Sequence, residues 1–145
     1  MDYLIGNKDD LIGILELYKQ LGDNNGSLFG IYEAYKIWDI IEKNNIKYFF
    51  AKENEKIIGS LYICIIPNLT FNGKSIGFIE NVIIDQNYRQ KGIGKKLMEM
   101  AVEYAKENNC YKVVLQSGIK RLEAHKFYEN IGFNGSSKKA FELRF

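Results

Sequence analysis

Between Tyr88 and Leu97 the chain reads YRQKGIGKKL, four cations (Arg89, Lys91, Lys95, Lys96) and two glycines set between an apolar run and an amphipathic stretch. Amides at the start of a helix have no intrahelical partner and carry the positive end of the helix dipole, so such a turn suits a phosphate. Gly92 and Gly94 would let backbone approach that anion without a Cβ in the way. Spacing alone leaves a second reading open, a surface turn whose basic face is simply solvated. Two familiar phosphate loops are excluded. GxxxxGK[ST] is absent, and the third position of GxGxxG is taken by Leu97. What remains is R-x-x-G-x-G at Arg89, Gly92 and Gly94. A second chemical singularity lies just upstream, where Glu80 interrupts the apolar run IGFIENVII.

The elements that must position these groups follow from periodicity. Tyr3–Ile5 reads as a short strand. Leu11, Ile14, Leu15, Tyr18 and Leu21 fall at helical spacing behind Asp9 or Asp10 as cap, GDNNGS reads as a loop, and YEAYKIWDIIEKN as a second helix. KYFFAKE and KIIGSLYICIIP form a hairpin turning near Asn54. Asn72-Gly73 marks another turn, IGFIENVIID a third strand, and Gly92 to Asn108 a helix with Ile93, Leu97, Ala101 and Ala105 buried. YKVVLQS is a strand, KRLEAHKFYENIG a helix closed by Gly132, and FNGSSKKAFELRF two short strands or a hairpin. This order makes a mixed α/β (α+β) sandwich around one central sheet.

Size and composition narrow the classes further. At 145 residues, 46% hydrophobic and 26% charged, the chain is expected to form one soluble domain, residues 1–145. A net charge of +2 is too small for a nucleic-acid-coating protein. The start MDYLIGNKDD lacks signal-peptide features and no run is long enough for a membrane span. Cys64 and Cys110 form no CxxC pair, and with one histidine no metal site is expected. A cytoplasmic protein with free thiols, without nucleic-acid or membrane partners, is the reading.

FIENVIIDQNYRQKGIGKKLM followed by AHKFYENIGF resembles the GCN5-related N-acetyltransferase (GNAT) family, whose members use acetyl-coenzyme A. R-x-x-G-x-G matches the family's pyrophosphate loop. Ala124, Tyr128, Gly132 and Phe133 match its A-x-x-x-Y-x-x-x-G-F motif. The resemblance implies the acyl-CoA N-acyltransferase fold, with a mixed sheet, a splayed parallel strand pair and flanking helices. It implies that acetyl-CoA is bound as cosubstrate by the backbone of Val82, Ile83 and Ile84 and by the turn Arg89, Gln90, Lys91, Gly92, Ile93, Gly94 and Lys95, the gap beside it opened by Val113 to Gln116. Many members carry asparagine three residues before the motif's alanine, where Arg121 stands here. SGIKRLEAHKFYENIGF looks like a subgroup acting on small amines such as aminoalkylphosphonates and polyamine-like compounds, and NCYKVVL is similar to a stretch of glucosamine-phosphate acetyltransferases.

Acetyl transfer to an amine requires that an ammonium of pKa near ~10 lose a proton and that the departing thiolate gain one. Glu80 is the expected base. Strict alternation puts it on one face with Phe78 and Val82, with Asn81 opposite, where Asn81 could mark a bulge; a solvated edge-strand Glu80 is the competing reading. Tyr128 is the expected acid, although Ala124, Tyr128 and Ile131 also fit an ordinary core stripe. His125 is expected to pack on its helix, and Cys110 to be a small buried residue. Phe29, Tyr32, Tyr35 and Trp38 suit the wall of an enclosed site for a small amine. Three hypotheses follow: direct transfer in a ternary complex to a small-molecule primary amine, transfer to a protein lysine or N-terminus, or a non-catalytic acyl-CoA-binding module. A sensor needs only the turn, so Glu80 and Tyr128 together argue for the enzyme. A homodimer stays open.

Overall fold

The structure is a computed structural model that describes residues 1–22 and 30–145; the GDNNGS loop and Phe29 fall largely or wholly outside the described residues. The elements run β1 (Asp2–Ile5), α1 (Leu11–Tyr18), α2 (Ile31–Glu42), β2 (Ile46–Glu53), β3 (Lys56–Ile66), β4 (Ser75–Ile84), α3 (Ile93–Glu107), β5 (Cys110–Leu115) and α4 (Leu122–Asn130). Among the described residues no helix is long and apolar enough to cross a membrane. The chain divides into two compact units, Met1–Val114 and Leu115–Phe145.

The first unit is built on the sheet, in the order β1-β2-β3-β4-β5. β1 to β4 pair antiparallel. The route from β4 through α3 to β5 is the helical crossover that a parallel neighbour requires, so the sheet is mixed. Asn54 and Glu55 join β2 to β3 with φ of 49° and 63°, the paired left-handed conformation of a tight hairpin turn. On one face, α3 comes down so closely that a Cβ on Gly59 would lie 2.9 Å from Ile84 Cδ1 and 3.1 Å from both Ile93 and Leu97. On the other, Leu11, Ile14 and Leu17 of α1 and Ala34 and Trp38 of α2 bury against Tyr48, Phe50, Ile57 and Ile83.

Asp10 does stand at the N-cap position of α1, as expected of Asp9 or Asp10, but its side chain makes no capping bond to that helix. It serves instead in the capping box of a 3₁₀ turn, Lys8–Asp10, whose cap is Asn7: the Asn7 side chain accepts from the Asp9 amide while Asp10 accepts from the Asn7 amide, each 2.9 Å. The other Asp10 oxygen forms a buried ion pair with Lys52 of β2. The expected closing strands are absent. Residues 133–145 form no strand, and Phe141, Leu143 and Phe145 stand exposed. Alternation alone does not make a strand when no ladder satisfies its backbone.

Candidate active site

β4 brings the first functional group into place. Tyr62 pairs with Glu80 and Ser60 with Ile83, so one residue of β3, Leu61, stands opposite two of β4, Asn81 and Val82. The extra residue is a bulge, and Asn81 within it has φ of 53°. Strict alternation therefore fails here. Glu80 shares its face with Ile83 rather than with Val82, and that face is the one covered by α1 and α2.

Glu80 is half-buried and stands opposite the Tyr62 phenol. Burial, and then the nearby Glu80 carboxylate, push that phenol up to about 12, so Tyr62 keeps its proton at neutral pH. The Tyr48 ring lies 5.1 Å from that of Tyr62. Burial raises Tyr18 as well, against hydrogen bonding from Ser60, Asn81 and Tyr48. The carboxylate thus faces one phenol, Tyr62, which in turn adjoins a buried cluster of Tyr18, Tyr48, Ser60 and Asn81. These neighbours were missed in the sequence, where Tyr18 reads as helix core and Tyr48 and Tyr62 as strand residues. The aromatic wall expected from α2 is only partly there. Trp38 is core, 3% exposed, donating to Glu42 at 2.8 Å, and Tyr32 faces solvent beneath Lys36.

Downstream of Glu80 the chain runs continuously through Val82, Ile83 and Ile84 into the glycine turn. Gln90 and Gly92 have φ of 61° and 79°, which aims successive amides to one side. The first α3 hydrogen bond of this end is Lys96 N to Gly92 O, 3.1 Å, leaving the amides of Ile93, Gly94 and Lys95 pointing outward. No side chain caps the helix and no acidic residue lies in its first turn, where Lys95 and Lys96 sit instead. Cations at the positive end of a helix are electrostatically disfavoured unless an anion joins them. Nothing within 4 Å would touch a Cβ on Gly92, so the space beside it is open. β4 and β5 are joined near their starts, where Ser75 N donates to Asn109 O at 3.1 Å and Val113 overlies Gly77. Val82, Ile84, Val113 and Val114 beyond that are apolar yet only half-buried.

The chain as a whole has counterparts among known proteins. The sequence profile of the Acetyltransferase (GNAT) family matches residues 14–133. The chain belongs to the GNAT family. It is 37% identical over 134 residues to a glucosamine 6-phosphate N-acetyltransferase of Trypanosoma brucei brucei, covering 91% of this chain and 88% of that one. It is 36% identical over 87 residues to N-alpha-acetyltransferase 30 of Xenopus laevis, a match covering 59% of this chain and 30% of that protein. The crystal structure of glucosamine-6-phosphate N-acetyltransferase from Arabidopsis thaliana superposes with a TM-score of 0.85 at 25% identity, over 99% of both chains.

The second GNAT motif lies in the Leu115–Phe145 unit, and its local geometry explains its residue types. Gly132, φ of 100°, donates to Glu129 O and Phe133 donates to Tyr128 O, both at 3.0 Å. The Phe133 ring packs edge-on against Tyr128 at 6.2 Å. This is a Schellman ending with its hydrophobic clasp, and it requires an apolar body at 128, glycine at 132 and an apolar residue at 133. Tyr128 is 8% exposed and also meets Phe127 at 5.2 Å. His125 donates from Nε2 to the Gly118 carbonyl at 2.9 Å, tying its helix to the preceding loop. Burial raises both thiols, Cys64 and Cys110, which suits inert packing residues rather than nucleophiles.

If the turn holds an anion, Gly92→Asp places a charge in the open space beside it. Isothermal calorimetry should then show acetyl-CoA binding weakened at least tenfold, on the order expected for one added repulsive charge in a partly desolvated site. Gly92→Ala should lose far less, bearing only a backbone penalty of about 1–2 kcal/mol at positive φ.

Proposed function

We propose that this GNAT enzyme moves the acetyl group of acetyl-CoA directly to the primary amine of a small, hydroxyl-rich molecule, with an amino sugar phosphate of the glucosamine 6-phosphate type as leading acceptor. The observation that carries this reading is Glu80, held by the β4 bulge on the α1/α2 face opposite Tyr62, whose ring adjoins Tyr48. Phenols and an amide offer hydrogen bonds to sugar hydroxyls, and the carboxylate offers a destination for the ammonium proton. The relative of 37% identity that covers most of this chain acts on such a compound by name.

In this reading the half-buried Val82, Ile84, Val113 and Val114 receive the pantetheine arm, and the amides of Ile93, Gly94 and Lys95, with Arg89 and Lys91, receive the pyrophosphate. Glu80, directly or through a water, takes the ammonium proton. The neutral nitrogen then attacks the thioester carbon; the C–N bond forms as the C–S bond breaks, the nitrogen gives up its second proton to solvent, and Glu80 returns the first to solvent to reset the site. Tyr128 donates its phenolic proton to the departing sulfur and recovers it from solvent. One proton is released per turnover.

A panel of glucosamine 6-phosphate, glucosamine, an aminoalkylphosphonate, a polyamine and N-terminal peptides, assayed by thiol release, tests the acceptor class. Glucosamine 6-phosphate should give the highest kcat/KM; a peptide in first place would overturn the small-molecule reading. Glu80→Gln should lower turnover at neutral pH by about 10²–10⁴-fold with acetyl-CoA affinity unchanged, as loss of a general base does. Tyr128→Phe keeps the Schellman clasp, so its stability should change by no more than the roughly 0.5–1.5 kcal/mol of one hydrogen bond. Its turnover should nevertheless fall steeply. Near-normal turnover, with chemistry shown to be rate-limiting, would confine Tyr128 to packing.

A further inference from the structure

The sequence places a buried carboxylate directly before a turn that has every feature of an anion site. Asp85, 1% exposed, is the residue between β4 and the basic turn. Its backbone is fixed at both ends: its amide donates to Ile58 O and its carbonyl accepts from Tyr88 N, both at 2.8 Å. Its carboxylate accepts from the Asn87 amide at 2.9 Å and from Lys56 Nζ at 2.7 Å. Neighbouring tethers come from elsewhere in the fold. Gln20, just past α1, accepts from the Gln86 amide at 3.0 Å, and Arg89 Nε donates to the Ile84 carbonyl at 3.3 Å.

This arrangement poses an electrostatic problem. A carboxylate that shapes the turn also repels whatever anion the turn binds. Lys56 answers it. The lysine extends from the start of β3, its side chain 55% exposed, and its ammonium holds the Asp85 carboxyl below its ordinary value.

Resting on the reading of the turn as the acetyl-CoA pyrophosphate site, we infer that Asp85 and Lys56 are a positioning pair for that turn: Asp85 ties the backbone of residues 85–88 into its shape, and Lys56 cancels the charge that this tie introduces beside the bound anion. An ion pair kept only for stability would link the loss of either partner to melting temperature. A positioning pair makes a different demand, because it is the unpaired carboxylate that harms binding.

The test is calorimetry of acetyl-CoA binding at pH 8 on the full chain, with melting temperature measured in parallel. Lys56→Met, which leaves Asp85 charged and unpaired, should weaken binding on the order of tenfold, as one uncompensated charge near the site would, and added salt should reduce the deficit. The double variant Lys56→Met/Asp85→Asn keeps an oxygen acceptor for the Asn87 amide and removes the charge, so it should recover most of the affinity. Asp85→Asn alone should bind as tightly as the unmodified protein or more tightly, and this result stands even if Lys56→Met fails to fold. Unchanged affinity in folded Lys56→Met, a double variant as weak as Lys56→Met, or weakened binding in Asp85→Asn would each overturn the inference. Gly92→Asp separates the two levels: if the unmodified protein binds acetyl-CoA and Gly92→Asp binds it equally well, the turn itself is misassigned.

Discussion

Between Glu80 and Ile83, β4 carries one residue more than β3 offers it, and much of the site depends on that surplus. Without it, Ile83 would face α3 and Glu80 would share its face with Val82. With it, Ile83 enters the core beneath α1 and α2 while Glu80, a turn of backbone earlier, remains on that same face beside Tyr62. Asparagine suits the position because its short polar side chain tolerates positive φ better than other non-glycine residues do. The same irregularity interrupts the β3 ladder only at Asn81 and Val82, and pairing resumes at Ile83 and Ile84.

The electrostatics of the turn are built on a similar economy. A helix beginning with Ile-Gly-Lys-Lys after an uncapped glycine is poorly satisfied by itself. The surrounding structure compensates through rigidity rather than through charge, since Asp85, Gln20 and Ile58 all bind backbone just upstream of the exposed amides. Preorganisation of this kind means that little order would have to be gained by an anion binding there.

The parts of this architecture that were legible in the sequence are those governed by short-range rules. R-x-x-G-x-G declared a strand-to-helix turn, and that turn lies between β4 and α3. The spacing of Ile93, Leu97, Ala101 and Ala105 declared the buried stripe of α3, and all four are buried. The parts that were not legible depend on pairing. Asn81 was readable as a bulge marker and stands in one, but a bulge is a property of two strands, so FIENVII alone could not assign the face of Val82. Tyr62, which faces Glu80, and the Tyr18 and Tyr48 that adjoin it arrive from β3, α1 and β2, brought together by sheet register rather than by proximity in the chain. The C-terminal stretch shows the converse, since alternation in AFELRF was readable and its lack of a ladder was not.

The clasp of Tyr128 on Phe133 across Gly132 changes what its motif can be taken to mean. These residue types are what a helix needs in order to stop and turn its chain back, whether or not any proton is ever passed to a thiolate. A descendant that had lost catalysis would still be under pressure to keep an aromatic, a glycine and a second aromatic there, because discarding them unravels the end of α4. Glu80 has no such second duty in the described contacts of β4 and could drift to a neutral residue without cost to the fold. If Glu80 is the base, as proposed, the glutamate before the bulge is therefore the more discriminating letter for sorting working enzymes from retired ones, and the tyrosine of the clasp the weaker one.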